Sequence, residues 1–262
     1  MQTPANPFKQ ALIDKRRQIG FWLNLPNTTV AEIAAGAGFD WLLIDGEHTD
    51  HSLQTILHQL QVLAAYPRSH AIARLPMGHG HVGEMLIKQY LDLGVQTLLV
   101  PMVDTPEQAA AIVRAARYPG EGGLGGIRGM AGGRAARWGR YPQYVHEAND
   151  HICILVQAET RTALDNLEAI AAVDGVDGIF IGPADLSASM GHRGNPGHPE
   201  MQALMEDATR RIVRAGKAAG NLSPDPATAQ RYLDWGATFV AVGLDTNVLA
   251  RETSGLVTAF KI

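Results

Sequence analysis

Short apolar runs alternate with segments of helical periodicity along most of this chain. An uninterrupted apolar run of roughly four to eight residues is typical of a strand buried on both faces of a parallel sheet. We therefore predict eight strands, at residues 18–25, 40–44, 71–75, 97–102, 152–157, 178–181, 218–221 and 239–242.

The segments between these runs carry apolar residues at the spacing of amphipathic helices. Capping signals mark two of their starts, where Thr105 precedes Pro106 and Asp225 precedes Pro226. Eight strand–helix units predict one α/β domain over residues 1–262, a (β/α)8 TIM barrel. An open, doubly wound sheet is the alternative. The predicted helices are 30–37, 52–65, 82–93, 106–117, 161–172, 199–215, 226–235 and 246–261.

Composition narrows the class of protein. The chain has 262 residues, of which 46% are hydrophobic, and a formal net charge of −4. Because this mild acidity comes without a run of Lys and Arg, we expect no nucleic-acid partner. Cys153 is the single cysteine, which excludes a disulfide within the chain. We find neither a signal peptide nor an apolar run of ~20 residues, and we expect a cytoplasmic protein with no membrane association.

Polar residues that can carry chemistry follow five of the predicted strands. They are Asp45, Arg74, Glu159, Asp185 and, as the weakest case, Asn221. The carboxyl ends of parallel strands meet at one edge of a sheet, where such folds place their active sites. Charges that served only structure would be scattered over both ends of the strands. The pattern therefore predicts an enzyme site at the carboxyl ends.

Glu159 and Asp185 are the candidate metal ligands. Two carboxylates without a nearby cysteine favour a hard divalent cation such as Mg²⁺ or Mn²⁺, with Co²⁺ as a further candidate. Only two protein ligands would leave coordination positions open, as Lewis-acid catalysis requires. Alternatively, each carboxylate pairs with an arginine or caps a helix.

Asp45, His48 and Arg74 are the candidate catalytic residues. Asp45 and His48 lie three residues apart just after a predicted strand, so the carboxylate can orient the imidazole as a general acid and base. Glu47 between them is a candidate to orient a metal-bound water. Arg74 ends an apolar strand, and its permanent charge needs an anionic partner. We predict that it stabilises an enolate or a keto oxygen, with a structural ion pair as the alternative.

Three further features bear on ligand binding. Gln157 shares a strand face with Glu159, two residues away, and is a candidate substrate contact. The sequence His79-Gly80-His81 is weak evidence for a metal site, because no further ligand accompanies it. Residues 118–141 are rich in glycine and break the alternation, which favours a mobile loop over the site. A plain connection and a phosphate cradle are the alternatives, and the cradle lacks a following Gly-Lys-Ser or Gly-Lys-Thr.

Residues 38–48, 97–103 and 178–187 resemble the hydroxyketoacid aldolases. These are class II, metal-dependent pyruvate aldolases typified by 4-hydroxy-2-oxoheptanedioate aldolase. The resemblance covers nearly the whole chain, and it implies a TIM-barrel lyase of aromatic catabolism. It also implies a homohexamer, a dimer of trimers with the last helix swapped onto a neighbour. In this chain, the apolar residues of that helix that need a partner are Val248, Leu249, Leu256, Val257 and Phe260.

The resemblance also implies roles for individual residues. Glu159 and Asp185 would bind the metal, Asp45 and His48 would form the acid/base pair, and Arg74 would contact the keto oxygen of pyruvate. For further contacts, it implies that the backbone of Ala184 and Asp185 holds the substrate carboxylate. It also implies that Leu222 lies near the aldehyde and that Asp92 and Arg128 lie near a site shared between subunits.

This chain departs from the family pattern in three segments. The loop 119–126 is longer, 77–86 is extended, and 219–222 replaces a more apolar segment near the aldehyde. None of these departures removes a predicted catalytic residue, so they bear on substrate choice.

The sequence therefore predicts reversible cleavage of a 4-hydroxy-2-oxo acid, such as 4-hydroxy-2-oxoheptanedioate, into pyruvate and an aldehyde. An aldolase for 2-keto-3-deoxy sugar acids and an acyl-CoA lyase or thioesterase of the same superfamily are the alternatives on this scaffold. A Schiff-base aldolase would need a lysine at a strand end, where none is predicted. A non-catalytic binding protein would have no need for His48 and Arg74 beside the carboxylates.

Overall fold

Eight parallel strands close into a barrel. The computed structural model describes residues 1–120, 122 and 125–261. Strands β1 to β8 follow one another in chain order, and pairing of β1 with β8 closes the sheet, which excludes the open alternative. The predicted (β/α)8 architecture is thus confirmed. The strands are β1 Gln18–Leu23, β2 Trp41–Asp45, β3 His70–Arg74, β4 Thr97–Val100, β5 Cys153–Ala158, β6 Gly178–Ile181, β7 Ala218–Leu222 and β8 Phe239–Leu244.

Helices pack around this barrel, and their apolar faces cover the outward-facing strand residues. A short 3-10 turn also occurs at Arg134–Ala136. The helices are α1 Pro7–Ile13, α2 Thr28–Gly36, α3 Leu53–Leu63, α4 Gly80–Asp92, α5 Pro106–Ala116, α6 Tyr144–His151, α7 Arg161–Asp165, α8 Leu167–Ala171, α9 Pro183–Ser189, α10 Pro199–Arg214, α11 Pro226–Asp234 and α12 Asp245–Phe260.

The predicted strands agree with the observed ones to within two residues at either end. Helices α1 and α6 were not predicted, and of α9 only a helix start within residues 182–187 was. A signal for α1 was present, because Asn6 precedes Pro7 and its side chain accepts a hydrogen bond from the Lys9 amide, as an N-cap does. The predicted helix 161–172 is divided at Asn166 into α7 and α8.

The lower part of the barrel interior is aromatic. Phe8 of α1 enters the amino-terminal mouth of the barrel and packs against Trp41 and Phe239, with ring centroids 6.2 and 5.8 Å away. Above them, Trp22 lies 6.5 Å from Trp41, and Phe180 lies 6.1 Å from Phe239. These rings fill the barrel, so that its upper end can form a pocket with a solid floor.

Cys153 belongs to this interior layer and is fully buried. Burial raises the pKa of its thiol well above the usual value. This environment favours an unreactive cysteine.

Helix α12 packs against the barrel through its contacts with β1 and β8. Its five apolar side chains named above all remain exposed, Phe260 by 84%. Whether a neighbouring subunit covers them stays a prediction. Within the described part of the chain, no helix combines the length and apolarity needed to cross a bilayer.

The glycine-rich segment lies partly outside the described residues, which omit Glu121, Gly123 and Leu124. After it, the chain returns to α5, because the amide of Ile127 donates to the Arg114 carbonyl and that of Arg128 to the Arg117 carbonyl. The mobile-loop prediction for this segment is untested.

Candidate active site

A pocket of about 200 Å³ opens at the carboxyl ends of the strands. Residues from β1, β2, β3, β5, β6, β7 and β8 or from the turns that follow them reach it, so the sequence-predicted residues do converge at one end of the barrel. Trp22 and Phe180 form its floor. The lining residues are Trp22, Asn24, Asp45, His48, Arg74, Gln157, Glu159, Phe180, Gly182, Pro183, Ala184, Asp185, Leu222 and Leu244.

Arg74 and Asp45 form a buried, two-pronged ion pair. They are register partners at the ends of β3 and β2. Arg74 Nε lies 2.9 Å from Asp45 Oδ1, and Nη2 lies 2.6 Å from Oδ2. Burial by itself would raise the pKa of Asp45, but the hydrogen bonds and charge of Arg74 lower it below the ordinary value. Trp22 Nε1 also donates to Oδ2, at 3.2 Å. Asp45 is therefore ionised and held rigidly.

The structure pairs Asp45 with Arg74 rather than with His48. Asp45 ends β2 and turns inward, whereas His48 lies in the following turn with 63% of its side chain exposed. The charged neighbour of His48 is Glu47, whose Oε2 is 3.8 Å from His48 Nε2. His48 thus reaches the pocket from its rim.

Glu47 links the arginine to the histidine. Its Oε2 lies 2.7 Å from Arg74 Nη1, so Arg74 is held between two carboxylates. Burial raises the pKa of Glu47, and repulsion from Asp45 and Asp185 adds to this, while Arg74 opposes it. The turn needs glycine at position 46, because a Cβ there would lie 2.2 Å from the Tyr90 hydroxyl and 2.7 Å from the Arg74 carbonyl.

Glu159 follows β5 and is almost completely buried. Its Oε2 accepts a 3.0 Å hydrogen bond from the Met102 amide, and its Oε1 accepts one from Gln157 Nε2. Burial, together with repulsion from Asp185 and Glu47, raises the pKa of Glu159 to about 7, although the Met102 amide opposes the shift. A positive charge beside this carboxyl group would therefore stabilise its ionised form.

The residues around Glu159 fit a hard divalent cation. Asp185 in the first turn of α9 adds a second carboxylate, and the buried amide oxygen of Gln157 has no hydrogen-bond partner among the described residues. These donors are all oxygens, as Mg²⁺ and Mn²⁺ prefer. Glycine at position 182 leaves the space that the Glu159 carboxylate occupies, because a Cβ there would lie 2.3 Å from Glu159 Oε1.

Met102 is a site residue that sequence reasoning missed. Its backbone is left-handed, with φ of 55°, which is unfavourable for a side chain of this type, and this turn directs its amide toward Glu159. His79 Nε2 lies 2.7 Å from the Met102 carbonyl and donates to it. The one sequence signal for Met102 was its position just after β4, at the end of the barrel where the site lies. His81 turns away to Glu84, so the two histidines of His79-Gly80-His81 do not form a ligand pair.

Trp22 and Asn24 were also missed, although the strand-end rule covered them. Trp22 is in β1 and Asn24 directly follows it, so both lie at the same rim as the predicted residues. Trp22 was assigned to the apolar run because its ring is apolar, but its indole N–H binds Asp45 and its ring lies 5.2 Å from Arg74 Cζ.

Asp92 and Arg128 lie apart from this pocket and bind each other. Arg128 Nη2 is 3.0 Å from Asp92 Oδ1, and its Cζ lies 4.4 Å from the Tyr118 ring centroid. Neither residue is among those that line the pocket in the described part of this chain. Of the segment 219–222, only Leu222 reaches the lining.

The chain matches a known family over most of its length. The profile described as HpcH/HpaI aldolase/citrate lyase matches residues 18–251. A hydroxypyruvate/pyruvate aldolase of Deinococcus radiodurans is 60% identical over 98% of this chain and 90% of its own.

Two further relatives are named for other substrates. A 4-hydroxy-2-oxovalerate aldolase of Rhodococcus jostii is 59% identical, over 99% of this chain and 98% of its own. A 4-hydroxy-2-oxo-heptane-1,7-dioate aldolase of Klebsiella pneumoniae subsp. pneumoniae is 56% identical, over 97% of this chain and 94% of its own. The resemblance inferred from the three sequence motifs is thus confirmed.

Proposed function

The chain belongs to the HpcH/HpaI aldolase/citrate lyase family, and we propose that it is a metal-dependent aldolase that reversibly cleaves 4-hydroxy-2-oxo acids into pyruvate and an aldehyde. One observation supports this most strongly. Three carboxylates, an arginine and a histidine line a single pocket at the carboxyl ends of the barrel strands. A retro-aldol reaction needs a site for the 2-oxo acid, stabilisation of developing negative charge and a group that moves a proton.

Glu159 and Asp185 would hold the divalent cation, Mg²⁺, Mn²⁺ or Co²⁺. When bound, the cation supplies Lewis-acid polarisation of the 2-oxo group. Gln157, whose amide oxygen is buried beside Glu159, would bind the substrate or complete the set of oxygen donors. Backbone N–H groups of Ala184 and Asp185, at the start of α9, would hold the substrate carboxylate.

Arg74 would stabilise the negative charge that develops on the keto oxygen as the C3–C4 bond breaks. A guanidinium group has five N–H donors. Two of them donate to Asp45, and Glu47 Oε2 lies 2.7 Å from Nη1 as a second ion-pair partner, so the group is held in place while further N–H donors remain for the substrate. Since the donors are oriented before the reaction, little reorganisation is needed in the transition state.

His48 would take the proton from the 4-hydroxyl group in cleavage, and C3 of the resulting enolate would take up a proton from solvent to give pyruvate; in the condensation direction His48 would protonate the aldehyde oxygen. Its exposed position at the rim of the pocket would let it reach the 4-hydroxyl group of a bound substrate. Glu47, rather than Asp45, is the carboxylate next to His48 and would orient it. Leu222 would contact the aldehyde portion from the opposite wall.

The identity of the aldehyde is the finer question. The named relatives differ in substrate at nearly equal identity, so identity alone does not choose among them. We propose a short or dicarboxylic 4-hydroxy-2-oxo acid as substrate, with 2-keto-3-deoxy sugar acids as the second candidate. A panel of both classes, compared by kcat/KM in the presence of each metal, tests the choice. If no member of the panel releases pyruvate with any of the three metals, the proposal fails.

Two rival chemistries can be separated by simple experiments. None of the lysines lies in the pocket lining of the described residues, so a Schiff base has no candidate amine. Borohydride trapping with pyruvate should therefore give no covalent adduct. A cationic groove with Lys9, Lys15, Arg17 and Lys217 does exist, but at the amino-terminal end of the barrel, away from this pocket. CoA should accordingly fail to compete with substrate.

We also propose a homohexamer in which α12 packs against a neighbouring subunit. The exposed apolar face of α12, defined by its five apolar residues, supports this arrangement. Removal of residues 246–262 should lower the number of subunits per particle, as calculated from the mass measured by light scattering and the mass of the shortened chain. An unchanged number of subunits would exclude α12 from the interface.

A further inference from the structure

Two histidines and a glutamate converge outside the active-site pocket, where the loop between α9 and α10 meets the start of α10. His192 Nε2 lies 3.0 Å from Glu200 Oε2. The rings of His192 and His198 stack, with centroids 3.9 Å apart and planes inclined by 21°. One ligand atom from each of the three residues lies within 4.8 Å of the others. We call His192, His198 and Glu200 the His-His-Glu cluster.

The backbone holds the cluster in place. The amide of His192 donates to the Ser187 carbonyl at 2.7 Å, and the His192 carbonyl accepts from the Asn195 amide at 2.9 Å. The His198 amide in turn donates to the Asn195 carbonyl at 3.1 Å. Because the loop is already ordered by these hydrogen bonds, a ligand that binds the three side chains orders little additional chain.

Each side chain offers a ligand atom of suitable type, and two of these atoms, His192 Nε2 and Glu200 Oε2, are hydrogen-bonded to each other. His198 Nδ1 accepts a hydrogen bond from the Glu200 amide, which leaves Nε2 of His198 available. His192 Nε2 and Glu200 Oε2 face each other. Two ligands bound tetrahedrally at ~2.0–2.2 Å stand about 3.3–3.6 Å apart, so these two atoms, 3.0 Å apart, need to separate by only a few tenths of an ångström.

We propose that the His-His-Glu cluster is a binding site for Zn²⁺ or a similar late first-row divalent cation. Two imidazoles and a carboxylate form a common zinc ligand set, with water in the fourth position. Mg²⁺ prefers oxygen ligands and should not compete. The site is thus chemically distinct from the all-oxygen donors around Glu159. A bound ion would also link α10 to α9, the helix whose first turn carries Asp185.

The carboxylate has a specific part in this site. His198 is the N-cap of α10, and Glu200 lies in its first turn. The positive end of the helix dipole disfavours a cation there. Glu200 must therefore contribute its charge as well as its oxygen, so that Glu200→Gln should abolish binding although an amide oxygen remains.

The test is the zinc stoichiometry of the full-length protein, measured by equilibrium dialysis and elemental analysis. Wild type should bind one more equivalent of Zn²⁺ per chain than His192→Ala, His198→Ala or Glu200→Gln at concentrations that saturate the oxygen-ligand site. His81→Ala is the matched control, because His81 faces Glu84 at 3.6 Å without a second histidine. It should retain the wild-type stoichiometry.

Co²⁺ absorption gives a second readout. Cobalt bound tetrahedrally to imidazole absorbs visible light far more strongly than cobalt with six oxygen ligands, so the intense bands should be lost in the cluster variants alone. Affinity for this ion should fall by at least about tenfold in each. Equal stoichiometry and spectra in wild type and cluster variants would overturn the proposal, as would equal losses in His81→Ala. Both readouts rest on differences between variants and do not depend on aldolase activity.

Discussion

The two ends of the barrel interior use the same eight strands for opposite purposes. At the amino-terminal end, Phe8, Trp41 and Phe239 pack edge to face, and burial of these large apolar rings stabilises the fold. At the carboxyl end, Asp45 and Arg74 are buried at 0% and 7% exposure. Removing charges from water is unfavourable, so this end depends on precise pairing.

Two histidines show the same contrast. His70, near the lower end, stacks on Phe8 and has Nε2 2.8 Å from the Thr97 hydroxyl; burial lowers its pKa to about 4. That ring is neutral at physiological pH and serves packing. His48, at the upper rim, is exposed and lines the pocket. For these two histidines, location along the barrel axis separates a packing role from a place in the pocket.

The largest effect should follow from removing His48. His48→Ala should lower kcat by on the order of 10²–10⁴, because no other group at the rim would move the 4-hydroxyl proton. His70→Leu is the matched control, and its kcat should stay close to wild type. Pyruvate release at saturating substrate and metal measures both. Near-normal turnover in His48→Ala would show that His48 does not transfer the 4-hydroxyl proton. An equal loss of kcat in His70→Leu would show that the two ends of the barrel do not differ in this respect.

Trp41→Ala, at the amino-terminal end of the barrel, should lower stability and leave catalysis intact. Loss of this fully buried ring should reduce the free energy of unfolding by about 3–5 kcal/mol, while kcat of the folded enzyme stays unchanged. Urea unfolding followed by circular dichroism measures stability, and active-site titration corrects kcat for unfolded protein. If stability is retained while kcat falls, the aromatic layer contributes to chemistry and the division proposed here is wrong.

The pH dependence of metal binding should report on Glu159. Its pKa of about 7 means that, without metal, a proton and the cation compete for the same carboxylate near neutrality. Affinity should therefore fall about tenfold for each pH unit below 7 and level off above it. Calorimetric titration with Mn²⁺ measures this. Glu159→Gln should bind weakly at every pH, and a flat wild-type profile between about pH 6 and pH 8 would contradict the assignment.

A smaller effect is expected from His79, which holds the Met102 turn. His79→Ala should weaken Mn²⁺ binding by about threefold to tenfold, at or below the range typical of groups outside the ligand shell. The reason is that a relaxed Met102 backbone no longer directs its amide to Glu159. His79→Gln, which can still donate an N–H to the Met102 carbonyl, should recover part of the loss. His81→Ala should have no effect, and equal affinities in all variants would exclude this role.

Much of the architecture was predictable because its signals are local. Continuous apolar runs located all eight strands, and polar residues after five of them indicated the rim where the site lies. The site residues that this pattern did not identify either have a side chain that is both apolar and polar or contribute only a backbone group. Trp22 reads as an apolar strand residue, and Met102 contributes an amide that every residue type except proline possesses.

The order of charged residues along the sequence did not decide which of them pair. Asp45 and His48 are neighbours in sequence, yet the carboxylate binds Arg74, 29 positions away, because parallel pairing of β2 and β3 places those two residues side by side. The raised pKa of Glu159 likewise arises from burial and from Asp185 and Glu47, which meet it only in the closed barrel.

Local patterns in the chain were thus enough to predict eight strand–helix units, the end at which polar residues gather and the kinds of chemical group available there. Closure of the sheet, the partner of each charge, the shared pocket and the cluster of His192, His198 and Glu200 became known from the three-dimensional fold. Strand and helix formation follow from patterns within a few residues of one another. Electrostatic contacts depend on distances of a few ångströms, which strand register and barrel closure set between residues far apart in the chain.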